Sequence, residues 1–184
     1  MISKVRILAV LLAAAATQSA FASDGTINFT GELVDSTCTV TVNGVVGPAP
    51  ATVTLPKVSA AQLKTANATA GQTGFNITLS ACTGTSTTAA AFFEAGAGVN
   101  PLTTNLKNSD ATATGAKNVE LQLVDATNGS VIKAGDFGQV AGTSKIMKNG
   151  SGNTILPYAV QYIATGLTTA GKVASQVTYS ITYQ

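Results

Sequence analysis

The feature that most limits the fold lies at the end of the chain. Val173, Val177, Tyr179, Ile181 and Tyr183 fall two or four residues apart with Ser175 filling the gap, and Gln184 follows as the last residue. A strand turns alternate side chains to opposite faces, so these residues make one strongly apolar face. In a complete β-sandwich such a strand has neighbours on both sides, yet nothing follows it here. A last strand flanked by earlier ones is one arrangement; a domain short of its final strand, with a groove beside the C-terminal one, is the other.

The opposite end supplies a matching element. In Gly25-Thr26-Ile27-Asn28-Phe29-Thr30-Gly31-Glu32-Leu33, the residues Gly25, Ile27, Phe29, Gly31 and Leu33 share one face and the polar residues share the other. The segment lies just ahead of Cys38 and reads as an arm leading into a domain. An ordinary first strand and a spare strand for a groove on another copy are both consistent with the pattern. Gly31 fits a close approach that admits no side chain, and a bulge fits it almost as well.

Between these ends the turn signals are closely spaced. Asn43-Gly44 and Asn128-Gly129 mark hairpins, flanked by Cys38–Val42 and by Val119–Val124 leading to Val131-Ile132. Thr52–Leu55, Phe75–Leu79, Ala89–Glu94 and Ile155–Tyr162 read as strands, with Pro157 arguing for an edge or a bulge. Gly71–Gly74 reads as a turn, and residues 95–118 as loop with at most a short strand near Leu102–Leu106. Ser59 caps the one helical candidate, within Val58–Ala66. This spacing with no long helix predicts an all-β, immunoglobulin-like sandwich.

Residues 1–22 read as a secretory signal, with Lys4 and Arg6, the apolar run Ile7–Ala16 and the cleavage pattern Ala20-Phe21-Ala22. The run is too short to span a bilayer, and no later segment is long enough. The expected organisation is a leader over 1–22, an N-terminal extension over 23–33 and one domain over 34–184. Lys4 and Arg6 leave with the leader, so eight basic residues face eight acidic ones. A neutral surface has no field to gather nucleic acid or anionic lipid, and it does not repel identical copies.

Two cysteines in an exported chain read most economically as one bridge, Cys38–Cys82; two free thiols fit an oxidising compartment less well. Closing a loop of roughly 45 residues contributes about 3 to 4 kcal/mol. The chain has no histidine, so the cysteines make no zinc cage and general-base catalysis lacks its commonest group. The eight carboxylates are scattered, and Ser144-Lys145 reads as loop neighbours rather than a dyad. Neither an enzyme nor a cofactor is expected. A carbohydrate-binding module or tip adhesin is the rival, weakened by the absence of Trp and of room for a receptor domain before Cys38. Self-complementation by the arm is a third, with Val34-Asp35-Ser36-Thr37 short of reversal residues. Asn-x-Ser/Thr sites at Asn28, Asn67, Asn76, Asn128 and Asn149 follow from the Thr- and Ser-rich composition, and a glycan on Asn28 would block the arm.

Residues from end to end resemble pilins of the chaperone-usher pathway, most of all the major rod subunits of type 1 fimbriae. The match runs through Gly25–Val34 before Cys38, Gly74–Leu79 before Cys82, Asn118–Asp125, Ile155–Tyr158, Tyr162–Gly166 and the C-terminal strand, with Gly171 fourteenth from the end and Tyr183 penultimate. Residues 83–117 match loosely. The resemblance implies an incomplete immunoglobulin-like sandwich lacking its last strand, completed by donor-strand complementation. It implies a donor face of Gly25, Ile27, Phe29, Gly31 and Leu33, and a groove and chaperone-contact strand of Gly171, Val173, Val177, Tyr179, Ile181 and Tyr183. It also implies as partners identical subunits, a periplasmic chaperone, an outer-membrane usher and minor pilus subunits. The product would be an extracellular fimbria supporting adhesion and biofilm formation.

Overall fold

In the computed structural model residues 27–149 and 152–184 are described, so the predicted leader, Gly25, Gly150 and Ser151 lie outside the description. The chain divides into two units, Met1–Glu32 and Leu33–Gln184. In the first unit, residues 27–32 belong to no strand, and Ile27 and Phe29 are 78% and 89% exposed. The amphipathic pattern predicts a strand, but a strand forms only where an edge pairs with its backbone.

The second unit is a β-sandwich. The larger sheet runs β2-β1-β3-β9-β6-β5, with β7 also on β6; β1 is Thr37–Val42, β2 Val45–Val46, β3 Thr69–Thr83, β5 Leu106–Lys107, β6 Val119–Asp125, β7 Val131–Ile132 and β9 Thr154–Ala164. The smaller runs β10-β4-β8, from Tyr179–Tyr183, Thr88–Phe93 and Ile146–Met147. Asn43 and Gly44 take φ of 46° and 85° and join β1 to β2 in a two-residue hairpin, as their sequence requires. Ser59 accepts the amide of Ala61 and caps a single 3-10 turn, Ala60–Leu63.

Several expectations are corrected. Gly71–Gly74 is not a turn: β3 runs through it with a bulge between Ala70 and Thr73, and Gly71 takes φ +66°. Pro157 sits in a central strand, but its main chain faces β6 where that ladder ends. The last pair is Asp125 with Tyr158, so the absent N–H forfeits no ladder bond. Thr52–Leu55 forms no strand, although its burial alternates. The loop over 95–118 holds, as expected, only a short strand, β5, which starts at Leu106 after Thr104 turns at φ 60°. The helix α1, Gln139–Gly142, and β8 were not legible. The Gln139 side chain fixes α1, its Oε1 accepting Phe93 N and its Nε2 donating to Phe93 O.

Between the sheets lie Ile77, Leu79, Leu121, Leu123, Leu156 and Val160 on one side and Ala89, Ala91 and Phe93 on the other. Tyr158 ties the layers together: its ring meets Phe93 edge-on at 5.1 Å, and its hydroxyl accepts the Ala91 amide at 2.8 Å. Burial pushes the Tyr158 hydroxyl up to about 12. Its raised folded value means that its contribution is whole below the ordinary 10.0 and is lost as pH rises through about 12. Tyr158→Phe leaves the Ala91 amide unpaired, so we expect a loss of about 1–2 kcal/mol at neutral pH. It should also flatten the decline of stability above pH 10; alkaline titration of unfolding checks both, and an unchanged decline would rule out this assignment.

Candidate functional site: an open groove along the last strand

The site follows from the hydrogen-bonding phase of β10. Gln184 exchanges both main-chain bonds with Thr88, and Thr178 accepts the Glu94 amide. Even-numbered residues therefore face β4, and by alternation the N–H and C=O groups of Val177, Tyr179, Ile181 and Tyr183 point to the other edge. No strand among the described residues pairs with that edge. The same odd-numbered residues turn their side chains inward and pack on the core. One stretch thus presents apolar side chains and unpaired main chain together.

The facing wall is residues 48–58, extended past Pro48, Pro50 and Pro56. Their main-chain groups bond to no main-chain group among the described residues; Pro56 O accepts only the Tyr162 hydroxyl. Each proline removes a donor and keeps the segment out of the sheet. Val53 and Leu55 nonetheless point inward. Between the walls lies a groove of about 760 Å³ whose floor is the sandwich core itself: Phe75, Ile77, Leu121, Leu123 and Val160.

The ends of the groove are built differently. At one, Gly96-Ala97-Gly98 crosses so close to the chain that a Cβ on Gly98 would meet Gln176 O. Beyond it the C-terminal segment changes partner: Ser109 N donates to Ala174 O, and Lys172 exchanges bonds with Thr114 and Ala116. Gly171 lies against the backbone of residues 114–116, where no Cβ fits. At the other end Tyr183 lies under Lys148, whose Nζ is 5.7 Å from the ring centre and donates to Thr83 O and Ser36 Oγ. Ser36 is buried against Gly84, and its Oγ also accepts the Ser86 amide. Ser36, two residues before Cys38, is therefore held through Lys148 beside Tyr183, next to the Cys38–Cys82 disulfide.

Of the residues singled out from sequence, Val177, Tyr179 and Ile181 line the groove. Burial holds the Tyr179 and Tyr183 hydroxyls above the usual phenol range; at Tyr183 a bond from the Cys38 backbone offsets part of this. Gly171 and Val173 belong to the segment tied to residues 108–116, and Tyr183 marks the far end. Ile27, Phe29 and Leu33 are exposed, Leu33 wholly, and a Cβ on Gly31 would meet nothing within 4 Å. The wall at Val53 and Leu55 and the Gly96–Gly98 closure are not legible in the sequence as parts of a groove. The alternation of Thr52–Leu55 between prolines marks the first only as a strand; no local signal marks the second. Ser144 is held by structural bonds, its amide to Asp125 Oδ2 and its hydroxyl to Asn128. No group of three or more Cys, Asp and Glu converges among the described residues.

The family model for type-1 fimbrial protein A matches residues 55–184. The F17 fimbrial protein of Escherichia coli is 38% identical over 185 residues, covering 98% of this chain and 99% of its own length. The major fimbrial subunit SMF-1 of Stenotrophomonas maltophilia strain K279a is 41% identical over 172 residues, covering 92% and 98%. The crystal structure of the P pilus rod subunit PapA superposes with a TM-score of 0.57 at 16% identity, covering 79% of this chain and 99% of PapA, a likeness of fold.

Proposed function

This chain belongs to the type-1 fimbrial protein family, a structural, non-enzymatic family of surface fimbriae of Gram-negative bacteria, and from that premise we propose that it polymerises by donor-strand exchange. The arm of one subunit enters the groove of the next and completes its sandwich. One observation carries the reading: across an apolar groove open to the core, the β10 edge faces segment 48–58, and neither pairs with another strand among the described residues. A strand inserted there gains main-chain bonds and buries side chains at once, the mode of strand addition used by pilins.

The arm has the matching chemistry. Ile27, Phe29 and Leu33 are exposed, and burying each contributes roughly 1.5 to 3 kcal/mol before ordering costs. Direction follows from the arm's root. Ser36, three residues after Leu33, is held beside Tyr183, so a head-to-tail chain needs its donor's body at the opposite, Lys172 end. The arm then runs antiparallel to β10. Before polymerisation a periplasmic chaperone covers the groove, with the usher as the site of exchange; minor subunits complete a fimbria that supports adhesion and biofilm formation.

Gly31→Leu tests the reading. The exposed site tolerates the side chain in the subunit, so folding with the chaperone should be unchanged. Fibres should be lost, as seen by electron microscopy of cells carrying the variant. Normal fibres would show that no acceptor approaches Gly31 closely.

A further inference from the structure

We infer that Ser175 sets the register of the incoming strand by hydrogen-bonding its main chain at Gly31, an inference that rests on the donor-strand reading. Ser175 Oγ is the one fully buried side-chain N or O atom among the described residues that has no hydrogen-bond partner. It lines the groove between Gln176 and the Lys172–Ala174 segment, where the C-terminal chain has left loop 108–116 and not yet joined β4. An apolar wall with an unpaired hydroxyl is an arrangement that destabilises the empty subunit, because a buried polar group has exchanged water for nothing. A strand that supplies the missing partner converts that defect into affinity.

The donor face narrows the partner to one position. Gly25, Ile27, Phe29, Gly31 and Leu33 carry no polar side chain, so only main chain can meet the hydroxyl. On the inward face of a strand each Cβ shields the main chain, and glycine removes that shield. Two glycines qualify. With the arm antiparallel, Gly25 opposite Ser175 would carry Phe29 out to Gly171, beyond the groove and against the 114–116 backbone. Gly31 opposite Ser175 instead puts Phe29 across from Val177 and Ile27 across from Tyr179. It also brings Ser23, the first residue after the predicted cleavage site, level with Tyr183 at the end of β10. The hydroxyl then donates to a main-chain carbonyl at Gly31. A larger residue there would both cover the hydroxyl and hold the strand off, and a strand slipped by two residues would bury it beneath Leu33 or Phe29.

The test uses the full mature chain and a labelled synthetic peptide of residues 23–33 as the donor. Ser175→Ala should leave the melting temperature of the peptide-free subunit unchanged or raised, since it deletes an unpaired group. The same variant should bind the peptide about fivefold more weakly, the loss of one hydrogen bond of about 1 kcal/mol. A peptide with Gly31→Ala should lose affinity on the native subunit and lose distinctly less on Ser175→Ala, because the two changes remove one interaction. Equal penalties on both subunits, undiminished peptide binding by Ser175→Ala, or a lowered melting temperature of its empty form would each overturn the assignment while leaving donor-strand exchange intact. Failure of the native subunit to take up the native peptide at all would remove the donor-strand reading and this inference with it.

Discussion

On the proposed donor-strand reading, a subunit lacking residues 23–33 should accept a donor strand but give none, and should therefore end every chain it joins. Head-to-tail contacts are heterologous, so each subunit needs one intact groove and one intact arm to continue the polymer. The truncation leaves the groove walls at residues 48–58 and Val177–Ile181 in place and removes Ile27, Phe29 and Leu33, which are 78%, 89% and 101% exposed. In a purified mixture containing one truncated subunit in ten, every chain has a single terminal subunit whose arm is not donated. Mean length should then fall to about ten subunits. Sizing by light scattering or electron microscopy reads this directly. Lengths independent of the truncated fraction would mean that growth uses some other surface.

Much of the framework was legible because it is locally encoded. Asn43-Gly44 adopts positive φ at both positions and closes its hairpin, and Val119–Asp125, alternating and free of breakers, became β6. The 3-10 turn announced itself through Ser59. What failed depended on partners distant in sequence. Gly71–Gly74 carries turn residues, but pairing with β9 on both sides of the bulge overrides them. Pro157 looks like an edge marker, and only the length of β6 makes its central place harmless. α1 has no periodic pattern to reveal it; a single buried glutamine bonded to Phe93 holds it.

The candidate site divides the same way. The alternation Val177-Tyr179-Ile181 revealed one wall. Gly171 and Val173 lie on the same stretch of sequence, but Ser109 and Thr114 draw that part of the chain onto another loop. The second wall, Val53 and Leu55, is strand-like in burial and kept unpaired by its prolines. Which segment faces β10 across the gap is a property of topology, and no window of sequence contains it. The hydroxyl of Ser175 is a further case, since its lack of a partner appears only once every neighbour is placed.

Replacing both Cys38 and Cys82 by serine should produce the largest change in the stability of the isolated subunit. The bridge spans a separation of 44 residues and joins β1 to β3 beside the irregular pairing at Thr37 and Thr39. Constraining a loop of that length contributes about 4 kcal/mol by the chain-entropy account. For a domain of this size each kcal/mol shifts the midpoint by about 2–4 °C, so the melting temperature should fall by about 8–16 °C. The groove should suffer with it. Val40 and Val42, on the strand the bridge holds, line the cavity, while Ser36, two residues before Cys38, is the buried root of the arm. On the proposed reading, loosening β1 should therefore weaken the acceptor groove and the donor's anchor together, whereas a purely local staple would affect stability alone. Thermal unfolding of the oxidised and serine forms, each with and without the 23–33 peptide, separates these. A serine form that melts lower yet binds the peptide as tightly as the oxidised protein would show that the groove does not depend on the bridge.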